Sequence, residues 1–248
     1  MKKLFPDMFD RPDNGPIVAT VGYNAFPFLV LPFMLHLMTW DVSEKYELLS
    51  WFEIGFHVCN ALIMVVCFGR YILNSFFNVR YQLKNFCSTV GITVGMMLLV
   101  GYVIGRIAGF TEQTWLSYGI FPLAEMELMM LSGDVLYFQP LIGLACMVLL
   151  APIATSCMYY APCFAPVCIN KPWLAYLLVA LYLLLPRLLN AFSFWVLSEE
   201  IMLYLVQLPI HLIACWSYQK ADTIWAPICS LAIVNLVSGM GLILLYMI

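Results

Sequence analysis

Between residues 172 and 196 the chain reads PWLAYLLVALYLLLPRLLNAFSFWV, with Arg187 as its one charge. As a helix rising about 1.5 Å per residue, a run of this length crosses the roughly 30 Å hydrocarbon core of a bilayer. Six further runs share the pattern, at residues 16–40, 51–77, 87–109, 136–158, 200–218 and 223–248. Backbone polar groups in lipid must be satisfied within the segment, so each run is expected as a helix rather than as part of an open sheet. The expected fold class is therefore all-α, a polytopic transmembrane bundle of seven spans in a single domain. Pro27 and Pro32 are expected to kink the first span and Pro186 the fifth, because proline removes a backbone donor. Composition agrees: 64% of the 248 residues are hydrophobic and 10% charged, against about 25% charged in soluble domains. The net charge of −3 offers no basic surface to nucleic acid, and none is expected as a partner.

The charges between the runs set an expected orientation. Lys2, Lys3 and Arg11 precede span one, in a polar tail of residues 1–15 that reads as retained rather than as part of a cleaved signal. Arg70, Arg80 and Lys84 are assigned to the connection between spans two and three, Lys171 precedes span five, and Lys220 lies between six and seven. These loops alternate onto one side, which the positive-inside rule makes cytoplasmic. The other side carries Asp41, Glu44, Glu47, Glu112, Asp134, Glu199 and Glu200, with Lys45 and Arg106 as its cations. The N-terminus is expected inside and the C-terminus outside, in a bacterial plasma membrane. Within residues 110–135, the stretch WLSYGIFPLAEMELMML (residues 115–131) is apolar but holds Glu125 and Glu127. Two carboxylates in a full span are costly, so it is expected as an outer interfacial or re-entrant helix, with an eight-span arrangement as the alternative.

Nine cysteines show no paired spacing, and Cys59, Cys67, Cys146, Cys215 and Cys229 fall inside apolar runs, where they read as small buried hydrophobes.

Three stretches in residues 136–248 form a pattern. The first is APIATSCMYY from Ala151, the second FWVLS from Phe194, the third YQKADTIWAPICSLAIVNLVS from Tyr218. Together they resemble the CPBP family, the CAAX-protease and bacteriocin-processing intramembrane proteins that include the type II CAAX prenyl endopeptidases. That family places EExxxR after an Ala-Pro-Ile-like lead, then FxxxH, then HxxxN after a Trp-Ala-Pro-Ile lead. Here Thr155 and Ser156 stand at the glutamate positions and Tyr160 at the arginine. Phe194 matches the aromatic, Ser198 and Leu231 replace the histidines, and Asn235 keeps the asparagine. The resemblance implies a CPBP-like core without its catalyst. A glutamate that activates water and histidines that stabilise an oxyanion are the family's means, and alcohols and a leucine supply neither. On this reading no catalytic residue and no cofactor are expected. The competing explanation of the leads is that proline is favoured in the first turn of a helix.

Other polar residues are candidates for a site. Arg187 and Asn190 lie within span five; an arginine there calls for a partner, as a structural clamp first and a substrate ligand second. His211, with Gln207 one turn earlier, reads first as an interhelical hydrogen-bonding group. His36, Glu53 and His57 form a weak metal candidate at the outer ends of spans one and two; a hydrogen-bonded cluster is the competing reading. The Glu199-Glu200 pair reads as a solvated loop tip. Gly91, Gly95, Gly101 and Gly105 form two GxxxG pairs, suited to close helix contact either with another chain or within this one.

The expected function is binding: an inactive CPBP-like protein that holds or regulates another integral membrane protein or a membrane peptide within the lipid bilayer. The alternatives are an active intramembrane protease with atypical residues or a metal, and a component of a small-solute transporter.

Overall fold

The computed structural model describes residues 42–107, 138–168, 170–194 and 197–247. The expected first span at 16–40 and the 115–131 segment lie outside the described residues. Among those described, every regular element is helical. The helices are α1 (Val42–Tyr81), α2 (Leu83–Ile107), α3 (Phe138–Thr155), α4 (Ala165–Cys168), α5 (Pro172–Phe194), α6 (Leu197–Ala221) and α7 (Trp225–Met247). A nine-residue π-helix, Ser156–Phe164, joins α3 to α4. Val58–Tyr81, Leu83–Ile104 and Leu144–Ala161 are each long and apolar enough to cross a membrane, and Pro172–Leu185 and Trp225–Gly241 are shorter apolar helices.

α1 overturns two expectations. It has 40 residues, about 60 Å at the helical rise, so it outruns its apolar part at the N-terminal end. Glu44, Lys45 and Glu47, expected in a loop, are helical; glutamate and lysine are good helix formers and nothing there breaks the helix. Arg70, assigned to the following connection, lies instead inside the helix, eleven residues before its end. That connection shrinks to Gln82, whose N–H still bonds the Asn78 carbonyl at 3.1 Å while its own carbonyl accepts from Phe86 at 2.9 Å. Without glycine or proline between residues 70 and 90, the chain bends at one residue rather than opening a loop.

The expected end of span four at 158 is also corrected. The helical path continues through the π-helix to Cys168. Pro162 has no N–H to give, and its ring collides with the carbonyl four residues back in α geometry. Widening the turn relieves the collision, and the Ala165 N–H then bonds Tyr160, five residues back. Ser198, Glu199 and Glu200 form the first turn of α6 rather than a loop tip. Acids at a helix N-terminus complement its dipole, which explains why the helix begins there.

α3 is the central helix. In its apolar window 72% of residues are buried, against 33% and 28% in those of α1 and α2. α1 and α7 pack on α3, α6 packs on α5 and α2, and α7 also meets α2 and α6. The core between them gathers Met64 and Phe68 of α1, Met97 of α2, Tyr160 and Phe164 of the π-helix, Ile210 of α6 and Leu231 of α7. Gly91 and Gly95 of α2 take no part in it: a Cβ at either would meet nothing within 4 Å. This half of the glycine pattern leaves an open helix face rather than a contact within the chain.

Candidate functional site

The π-helix is the structural singularity of this bundle. Such wide turns are rare, cost regular hydrogen bonding and concentrate at functional sites. Here it carries Ser156 and Tyr160 into the core, both with no solvent exposure, directly after the buried Thr155. The Tyr160 hydroxyl meets His211 Nδ1 on α6 at 2.7 Å. Tyr159 adds a ring contact to the same imidazole, with centroids 5.5 Å apart, and is itself held edge-to-face by Tyr182 of α5. The pair is a phenol–imidazole bridge between the π-helix and α6.

On α7, Leu231 and Asn235 are one turn apart and fully buried. The Asn235 amide Nδ2 donates to the Met147 carbonyl of α3 at 2.8 Å, tying α7 to the central helix. Among the described residues, five buried polar atoms have no hydrogen-bond partner: Asn235 Oδ1, Ser156 Oγ, Ser230 Oγ, Ser238 Oγ and Asn60 Nδ2. Thus Thr155, Ser156, Tyr160, Leu231 and Asn235 all lie in the interior, on α3, the π-helix and α7. Among the described residues of this interior, the polar groups that meet are hydroxyls, amides, carbonyls and one imidazole.

Phe194 closes α5 and Ser198 opens α6, Arg187 and Asn190 lie one turn apart on α5, and Glu53 and His57 lie one turn apart on α1. For these six the description covers the backbone alone. His36 lies outside the described residues. Among the described residues, no three His, Cys, Asp or Glu side chains are grouped to hold a metal ion.

Sequence reasoning passed over a second polar assembly, at the end of the bundle where α6 turns into α7. Asp222 holds a positive φ of 53° there, which Asp and Asn tolerate better than other side chains. Thr223 Oγ1 donates to the Ser75 carbonyl of α1 at 3.1 Å and accepts the Trp225 N–H at 3.3 Å. The Trp225 indole N–H donates to the Ile72 carbonyl at 2.9 Å, its ring edge-to-face with Phe76. One turn deeper, the hydroxyls of Tyr71 and Tyr218 hydrogen-bond each other. Half-burial lifts the Asp222 carboxyl above its ordinary range by desolvation. The Trp-Ala-Pro-Ile lead is therefore a helix start pinned to α1, with Pro227 in its first turn. The Ala-Pro-Ile lead differs, since Pro152 stands inside α3 near its end. The available signal was the tyrosines and tryptophans in apolar runs, whose polar ends require partners once buried.

No family model, curated protein or solved structure matches this chain.

Proposed function

We propose that this chain is a seven-span membrane protein with a CPBP-like frame that has lost its catalyst, and that it acts by binding other membrane proteins. The observation that carries the reading is the occupancy of the frame positions. Tyr160 and Leu231 are fully buried members of one apolar cluster, and Asn235 spends its amide on the Met147 carbonyl. A hydrolytic site needs a base, a water and an oxyanion donor at those positions; Tyr160 and Leu231 are committed to packing, the Asn235 amide N–H to the Met147 carbonyl, and Ser156 offers only an alcohol.

The open faces of α1 and α2 supply the second support. Leu62, Val66, Leu73 and Phe77 on α1 and Ile92 and Leu99 on α2 are exposed, and Gly91 and Gly95 leave α2 flat enough for a close helix neighbour. In this reading the N-terminus and the Arg80, Lys171 and Lys220 ends face the cytoplasm of a bacterial cell, and the C-terminus faces out. The bilayer and a membrane partner are its ligands. Affinity purification of the full chain in mild detergent tests the reading. Stoichiometric recovery of a specific integral membrane protein is expected; recovery of the chain alone from native membranes would count against it.

A further inference from the structure

The apolar stretch Val58–Tyr81 ends, and Leu83–Ile104, Pro172–Leu185 and Trp225–Gly241 begin, at one end of the bundle. Hydrogen bonds hold those ends side by side. The Asn85 amide donates to the Lys220 carbonyl at 3.4 Å, joining the start of α2 to the end of α6. The Tyr176 hydroxyl donates to Gln219 Oε1 at 3.0 Å, joining α5 to α6. Asn78 Nδ2 donates to the Asp222 carbonyl at 3.5 Å and the Trp225 indole to the Ile72 carbonyl, bringing the end of α1 to the start of α7. Polar chain gives way to apolar helix at the same level in all of them, which marks a membrane interface by composition. The charges at this edge are nearly of one sign. Among the described residues within five positions of it, Arg80, Lys84, Lys171 and Lys220 are exposed cations, and Asp222, half-buried in its turn, is the one acid. Tyr81 and Trp173 are exposed on the edge itself, and such rings favour the headgroup level. The far ends of these helices carry Glu44, Glu47, Glu199 and Glu200 beside Lys45 and Arg106.

We propose that this rim binds the headgroups of anionic phospholipids, its lysine and arginine side chains pairing with the phosphates of lipids packed around that end of the bundle. Charge complementarity names the occupant: cations at the level where apolar helix begins meet lipid phosphate there, and basic residues near a membrane surface attract anionic lipid. Lysine and arginine suit the place because their stems lie along apolar surface while the charged heads reach the headgroups. The inference rests on the membrane-spanning part of the function proposed above and not on its protein partner.

The test places the full chain in phosphatidylcholine vesicles with a trace of spin-labelled phosphatidylglycerol or spin-labelled phosphatidylcholine. The motionally restricted fraction of each label reports lipid at the protein surface. Phosphatidylglycerol should be favoured on the order of fivefold at low salt, the factor one basic residue contributes at an anionic surface, and the preference should shrink in about 1 M salt. Replacing Arg80, Lys84, Lys171 and Lys220 together by Gln should erase it, and each single replacement should remove a part. Lys45→Gln with Arg106→Gln, at the far end, should leave it intact. Equal restriction of the two labels, a preference that survives the fourfold change, or an equal loss in the far-end variant overturns the inference. The full chain carries residues 1–41 and 108–137 into the measurement, so a rim covered by them gives equal restriction and the inference falls. No restricted label at all would overturn the membrane-spanning reading together with the inference, whereas equal restriction strikes the inference alone.

Discussion

Removing the hydroxyl of Tyr160 leaves its ring in place and His211 Nδ1 without its phenol partner. A buried polar group so stranded costs about 1–3 kcal/mol, so Tyr160→Phe is expected to lower the melting temperature in detergent by that equivalent. Because both residues belong to one bridge, adding His211→Leu should cost less than the sum of the single changes. Leu231 is a different kind of residue: fully buried, apolar and central. Leu231→Ala is expected to cost about 2–5 kcal/mol through lost contacts and a cavity, measured by the same melts. Asp222 gives the pH dependence. Its folded-state pKa is raised by burial, so the folded protein holds this proton more tightly than the unfolded chain. The ionised form is then the less stable one, and stability falls as pH rises from the ordinary carboxylate value, about 3.9, through the raised folded value. Melting measured between pH 7 and about pH 4 should show a rise on acidification that Asp222→Asn abolishes, since Asn keeps the left-handed backbone without the charge.

Most helices were legible because an apolar run in a membrane chain admits one regular structure; within the described residues, the runs at 51–77, 87–109, 172–196, 200–218 and 223–248 each fall on a helix to within two residues. Ends were harder. Charged residues ended a run in hydropathy but not in hydrogen bonding, so α1 extends back through Glu47 and Glu44, and α6 begins on Glu199 and Glu200. The π-helix left no period in the sequence; its trace was Pro162, four residues past the expected end of span four at 158, where proline favours a break or a widened turn. In Pro162→Ala the restored N–H reaches the Met158 carbonyl, α geometry becomes available, and Tyr160 turns away from α6. A double-mutant cycle should then find that Tyr160→Phe costs markedly less in the Pro162→Ala background than in the native chain. An undiminished cost would show that the π-helix does not position the bridge.

Among the described residues, a buried centre stands beside exposed faces of α1 and α2. At its centre lies α3, where Tyr160 and Leu231 pack in the core and the Asn235 amide ties α7 to the Met147 carbonyl. Which residues those were could be read from the motif leads; that Tyr160 would find His211 could not, because the pairing joins residues 51 apart through a non-α turn. Arg70 was misplaced for a related reason: a charge was taken as the edge of a span when the helix continues eleven residues past it. The central claim is that this chain binds membrane proteins and does not cut them. The most direct test is the intact mass of membrane proteins recovered with the wild-type chain, with Thr155→Ala and with Ser156→Ala, from native membranes. The account predicts full-length partners in equal amount from all three. Shortened partners from the wild-type chain, restored to full length by either substitution, would contradict it and make that hydroxyl a nucleophile.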